Sequence, residues 1–309
     1  MNWLNGYEEE LRKLFAEARE AIAQFPAPLD RRGLAYLQKF DPLQKESTKN
    51  YICYLLPYWV KEAAGADDDT CRRLALANVF VMLYYFIQDD LMDTVPSEWR
   101  EQLALANLMQ TRLLELYRPL FPAESPFWAY YRQYVEEWAA SVSAENEPEL
   151  FLREPLRIAH KASPVKFAST GLLLLTGRGD RIAPVSRLVE ETLVTLQMAD
   201  DRADWREDLE LGSANCLLAM IRSERATSGA LDVAEVKRAI YMEGVLGRYA
   251  RVAEERHRLV SAAGTDVPEL VGFHAFLTDH LVLSAESIER DLQLLKLGGF
   301  TYWSSKNVK

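Results

Sequence analysis

The sequence predicts an all-α fold of long antiparallel helices, and three observations carry that reading. Strand signals are almost absent along the chain. Several stretches of helical length are apolar nearly all round, the pattern of helices buried in a core. Gly and Pro fall mostly between these stretches or near their ends. Helices are expected at 5–24, 31–39, 46–64, 68–93, 97–118, 126–144, 147–161, 164–176, 182–209, 213–225, 232–262 and 267–296. Loops take Pro26, Pro28, Pro42, Pro122, Pro126 and the Gly177-Arg178-Gly179-Asp180 turn. No repeat, low-complexity tract or linker divides residues 1–309, so one domain is expected, a helical bundle with a site in its core.

The 68–93 segment carries the first chemical signal. Leu74 to Leu83 is almost wholly apolar, and Tyr84-Tyr85-Phe86-Ile87-Gln88 leads into Asp89-Asp90-Leu91-Met92-Asp93. Pro96 stops the helix within a turn. Three carboxylates thus sit in the last turn of a core helix, where the macrodipole is already negative. Asp89 and Asp93 share a face and repel each other. Either the end frays into water or a cation offsets the charge.

The 182–209 segment repeats the pattern. Val189, Leu193, Val194 and Leu196 precede Gln197-Met198-Ala199-Asp200-Asp201-Arg202-Ala203-Asp204-Trp205-Arg206-Glu207-Asp208. Asp200, Asp204 and Asp208 make one stripe over two turns, while Arg202 and Arg206 lie on other faces and could balance the charge at a surface. Two such clusters, Asp200 following Asp89 by 111 positions, look like two jaws on one ligand. Mg2+ suits them, because it takes one or two carboxylates and fills its remaining positions with water and phosphate oxygens. The implied ligand is a phosphate ester.

Composition narrows the alternatives. A net charge of −10 without a basic run argues against nucleic acid or an anionic membrane as the main partner. Cys53, Cys71 and Cys216 are odd in number, widely spaced and set in apolar helical patterns, so they read as buried free thiols. The N-terminus shows no signal-peptide core and no uncharged run approaches about 18 residues, which makes the cytoplasm the expected compartment and a transmembrane segment unexpected. His160, His257, His274 and His280 are dispersed, and no histidine-metal hydrolase centre is visible. Neither a Gly-rich phosphate loop nor a Ser/His/Asp or Cys/His signature appears.

These residues carry a resemblance. Asp89-Asp90-Leu91-Met92-Asp93 resembles the first aspartate-rich motif of class I isoprenoid synthases, the trans-prenyltransferases and terpene cyclases. Gln197 to Asp204 is similar to the prenyltransferases' second motif. The same stretch, read from Asp200 to Asp208, has the spacing of the cyclases' second metal motif, with Asp200, Asp204 and Asp208 in place of the usual Asn, Ser and Glu. His160-Lys161-Ala162-Ser163 resembles a diphosphate-contacting lysine segment, and Arg157, 43 positions before Asp200, stands near where cyclases keep a diphosphate-sensing arginine. The departures concern a second substrate. The Gly-Lys-Arg-type cluster that binds isopentenyl diphosphate in chain-elongating enzymes corresponds here to Glu46-Ser47-Thr48-Lys49-Asn50-Tyr51, with one cation. Only Arg100 follows the first motif, and Leu211-Gly212-Ser213-Ala214-Asn215 lacks the expected lysine. A diphosphate needs several cations or N–H donors to leave water, so one diphosphate site is favoured over two.

The resemblance implies an isoprenoid-synthase bundle with a central cavity and a terpene synthase, a carbon–oxygen lyase acting on a prenyl diphosphate. Asp89, Asp90, Asp93, Asp200, Asp201, Asp204 and Asp208 would hold three Mg2+ ions, and Lys161, Arg157, Lys166 and Gln197 would meet the substrate. Tyr84 and Tyr85 occupy depth-setting positions, and their bulk points to a C10 or C15 chain rather than C20. Phe80, Tyr85, Phe167 and Met198 are expected to line the cavity, or else to be plain core. Tyr302-Trp303-Ser304-Ser305-Lys306 would be a lid or a tail. A homodimer is also implied. The alternatives are a chain-elongating prenyltransferase and a non-catalytic subunit of a heteromeric synthase.

Overall fold

The computed structural model describes residues 4–93, 96–144, 150–225 and 231–296, and among them the chain is all-α with no strand. In chain order the helices are α1 (Glu8–Ile22), α2 (Leu29–Gln38), α3 (Tyr51–Ala64), α4 (Asp68–Asp93), α5 (Trp99–Tyr117), α6 (Phe127–Ser143), α7 (Leu150–Arg153) and α8 (Leu156–Ala159). They continue as α9 (Lys166–Leu175), α10 (Ile182–Leu211), α11 (Cys216–Glu224), α12 (Val233–Met242), α13 (Val245–Ala262) and α14 (Pro268–Lys296). A 3-10 stretch, His160–Val165, joins α8 to α9.

Two expected helices are broken, each for a local reason. Of the expected 147–161 helix, 147–149 lie outside the described residues, and the stretch from Leu150 to Ala159 is split into α7 and α8 by Pro155, which has no N–H to donate and disfavours helical backbone at the residue before it. The expected 232–262 helix divides into α12 and α13 at Gly244, whose φ of 70° no other residue type adopts so cheaply. Asp232 and Glu235 close a reciprocal capping box at the start of α12.

The packing forms two compact units interleaved in sequence. The first takes Met1–Glu136, Ala162–Arg187 and Thr265–Leu270; the second takes Glu137–Lys161, Leu188–Gly264 and Val271–Lys309.

In the first unit, α4 packs against α1, α3, α5 and α9. From Leu74 to Leu83 every side chain is buried, including Asn78. By length and composition α4 could cross a membrane, but 67% of its most apolar stretch is buried in protein, which is the behaviour of a core helix. The buried Asn78 answers a defect in its neighbour. Pro57 inside α3 has no N–H, so the Cys53 carbonyl loses its i+4 donor. The Asn78 side-chain amide donates to that carbonyl at 3.1 Å.

The second unit is built on the apolar turns of α10, with Val189, Leu193, Val194 and Met198 buried, together with Leu217, Leu218 and Ile221 of α11 and Tyr249 and Ala253 of α13. Tyr249 O–H donates to the Met198 carbonyl at 3.1 Å. His257 and His274, distant in sequence, stack with their Nδ1 atoms 3.1 Å apart, and His274 Nε2 lies 3.1 Å from Thr195 Oγ1. Burial, helped by His257 and Arg256, pushes His274 down to about 3, so the ring is neutral. All three cysteines are free and buried, as expected.

Replacing Asn78 by Ala strands the Cys53 carbonyl and should destabilise the protein by about 1–3 kcal/mol in chemical denaturation. Adding Pro57→Ala supplies a backbone N–H to the same carbonyl and should recover part of the loss; additive effects of the two changes would contradict this account.

Candidate functional site

The first aspartate cluster closes α4 inside the first unit. Asp89 is half-buried and Asp90 and Asp93 are exposed. Asp90 accepts a hydrogen bond from the buried Tyr36 hydroxyl of α2 at 2.9 Å. Burial first, then the charges of Asp90 and Asp89, push the Tyr36 phenol far up, so it stays a donor. Tyr36 thereby orients one carboxylate of the motif, a contact no sequence signal announced.

Four and five positions before Asp89 lie Tyr85 and Tyr84, ring centres 4.9 Å apart and edge to face. They belong to a unit rich in aromatic contacts: Tyr131 stacks on Phe167 at 4.5 Å, and Tyr117 meets Phe127 and Phe167. Phe80 and Phe167 have no exposed surface, as expected of core residues. Lys166, also expected to meet substrate, is fully buried, with its ammonium 4.3 Å from the Tyr134 ring centre. Cation–π attraction offsets part of the cost of burying that charge.

The second cluster lies in the second unit, on the last three turns of α10. Asp200 and Asp204 are exposed, Asp208 is half-buried and Asp201 is buried. Asp201 differs from the rest of its cluster. One of its oxygens accepts Gln197 Nε2 at 2.6 Å, and the other accepts the Cys216 backbone N–H at 2.6 Å. Cys216 is the first residue of α11, whose unpaired N–H groups and dipole favour an anion. Asn215, the cap of α11, accepts from Leu218 N–H and donates to both the Asp201 carbonyl and Asp208 Oδ2, each at 2.7 Å. Asn215 was legible as a polar residue ahead of an apolar run, although its reach back to Asp208 was not.

Electrostatics separates the carboxylates. Burial pushes Asp201 up, while its bonds to Cys216 and Gln197 and the charge of Lys161 pull it back. Burial raises Asp208 and the Asn215 bond opposes it. Asp200 reaches water, which weakens any shift. Crowding by protein atoms and the neighbouring Asp201 and Asp204 still push it up to about 6. A cation would relieve both causes, desolvation and like-charge repulsion.

A pocket of about 70 Å3, room for several waters, lies in the same unit. Its polar lining comes from Lys161, Gln197, Asp201, Asn215 and Ser141, against Phe151 and Ile158. The structure thus brings Lys161 together with Gln197 and Asp201, which the sequence marked in a separate segment. Arg157 stands apart from that lining and pairs with Glu154 at 3.6 Å across an exposed turn. Met198 is fully buried. Tyr302 to Lys306, read as a lid or a tail, lies outside the described residues.

Compared with protein-family models and with curated protein sequences, the chain matches none. What the geometry defines is a class: an all-α protein with two carboxylate clusters ending apolar helices.

The raised Asp200 makes a signed prediction. Its native affinity for a proton exceeds the unfolded one, so its contribution to stability is fully present below 3.8 and is lost as pH rises through about 6. In chelator, the wild-type protein should therefore lose Tm relative to Asp200→Asn between about pH 4 and 7. Parallel melting curves for the two proteins over that range would contradict the shift.

Proposed function

We propose that this protein is a Mg2+-dependent class I terpene synthase that ionises one allylic prenyl diphosphate, C10 or C15 in preference to C20, and releases diphosphate. The observation that carries the reading is the pair of aspartate clusters, Asp89, Asp90 and Asp93 closing α4 and Asp200, Asp204 and Asp208 on α10, in the order and separation of the family they resemble.

The donor set fits the ion. All six side chains offer hard carboxylate oxygens, which Mg2+ prefers, and the stripe on α10 holds more negative charge than its own partners offset. When bound, Mg2+ would polarise the diphosphate leaving group and stabilise the charge that builds as the C–O bond breaks. Asp201, whose oxygens are engaged by Gln197 and α11, is assigned to hold the stripe in place. Lys161 beside it offers the ammonium for a diphosphate oxygen, and Arg157 can exchange its weak exposed pairing with Glu154 for the same purpose. Lys166 over Tyr134 serves the aromatic wall, where π faces can stabilise a carbocation kept from water. Tyr84 and Tyr85 limit chain length. The expected setting is a cytoplasmic homodimer.

A chain-elongating prenyltransferase is the second reading, supported by Gln197 ahead of the second cluster and by Lys161 between the two. Against it, Lys49, the lone cation retained near the isopentenyl site, spends its ammonium on the Lys45 and Ser47 carbonyls.

Purified protein incubated with Mg2+ and geranyl, farnesyl or geranylgeranyl diphosphate, with and without isopentenyl diphosphate, separates the readings. A hydrocarbon or alcohol should form from one allylic diphosphate alone, and Asp90→Ala or Asp204→Ala should lower its rate at least ~100-fold. A longer prenyl diphosphate that requires isopentenyl diphosphate would establish the second reading instead. No turnover of any prenyl diphosphate would point to a non-catalytic subunit.

A further inference from the structure

Glu137 of α6, His160 at the start of the 3-10 stretch and Glu190 of α10 converge within the second unit, although 23 and 30 positions separate them in sequence. Each offers one donor atom, all lie within 4.8 Å of one another, and all three side chains are half-buried. We propose that Glu137, His160 and Glu190 form a binding site for one divalent transition-metal ion of the Zn2+ class, separate from the aspartate stripe.

The donor chemistry selects the ion. An imidazole nitrogen with two carboxylate oxygens suits Zn2+ and its first-row neighbours, whereas Mg2+ favours oxygen and water. Two glutamate carboxylates and one imidazole nitrogen make a mixed oxygen and nitrogen donor set that a divalent cation of this class accepts. Bonds of about 2.0–2.2 Å place tetrahedral ligands roughly 3.3–3.6 Å apart, so side chains now up to 4.8 Å apart close by about an ångström through glutamate torsions. Ser141, one turn beyond Glu137 on α6, and Lys161, next to His160, both line the pocket described above, so a pocket with polar walls adjoins the segments that carry two of the donors. The competing arrangement is an imidazolium bridging two carboxylates, with no metal. The proposal is independent of the synthase reading, since it uses none of the aspartates.

The full-length protein, stripped with chelator and kept in excess Mg2+, is titrated with Zn2+ by calorimetry and with Co2+ by visible absorption. One equivalent should bind, raise Tm, and give a Co2+ spectrum with nitrogen ligation. His160→Gln and Glu190→Gln should each weaken Zn2+ binding at least ~10-fold, and His160→Gln should abolish the nitrogen signature. Far-UV circular dichroism confirms that each variant folds, and the two substitutions at different donors guard against one that does not. Zn2+ bound equally by wild type and both variants would mean that the aspartates take it, and would overturn the proposal. No binding at all would overturn it too, leaving His160 as an ion-pair bridge.

Discussion

The second aspartate cluster depends on one carboxylate that faces inward. Asp201 trades water for two donors and a cation: the Gln197 amide, the first N–H of α11, and the charge of Lys161. Burial alone would drive such a group to protonate, and the hydrogen bonds oppose it. Because Asn215 caps α11 and also grips Asp208, one short segment fixes both the buried and the outer carboxylates of α10. Asp200 and Asp204 then project from a helix whose rotation is set by a neighbour. A stripe held this way keeps its charges close together despite their repulsion.

The first cluster is held by different means. α4 is buried all round from Leu74 to Leu83, and two of its polar groups have assigned partners: Asn78 completes the hydrogen bonding that Pro57 leaves open in α3, and Tyr36 donates to Asp90. Carboxylates at the negative end of a helix oppose its dipole, so both clusters are locally unfavourable without a counter-charge. Buried packing of α4 and of the α10 turns before Asp200 offsets that cost. The stability that the core supplies is what lets the helix ends stay strongly acidic.

The second unit keeps other polar groups inside by pairing them. Glu191 meets Arg256, and His274 is shared between Thr195 and a stack with His257. Each is a buried polar group made tolerable by geometry rather than by exposure. Glu137, His160 and Glu190 are gathered in the same unit by three separate segments. No sequence window contains more than one of them.

Local signals were legible wherever a residue acts within its own turn of helix. The all-α class, α4 to its last aspartate and the thiols' burial followed from periodicity, from Pro96 and from the apolar settings of Cys53, Cys71 and Cys216. The breaks at Pro155 and Gly244 were written in the sequence but lost in longer helical patterns, because proline and glycine act on one peptide unit while periodicity averages over many. The partnerships of Asp201, the Tyr36–Asp90 bond and the meeting of His257 with His274 were not legible at all. Helical spacing states which residues share a face, but not what that face meets. The sequence by itself determined the helices and where their charges fall; only the tertiary structure decided which charges are engaged and which stay available, since desolvation and hydrogen bonding depend on neighbours brought from distant parts of the chain.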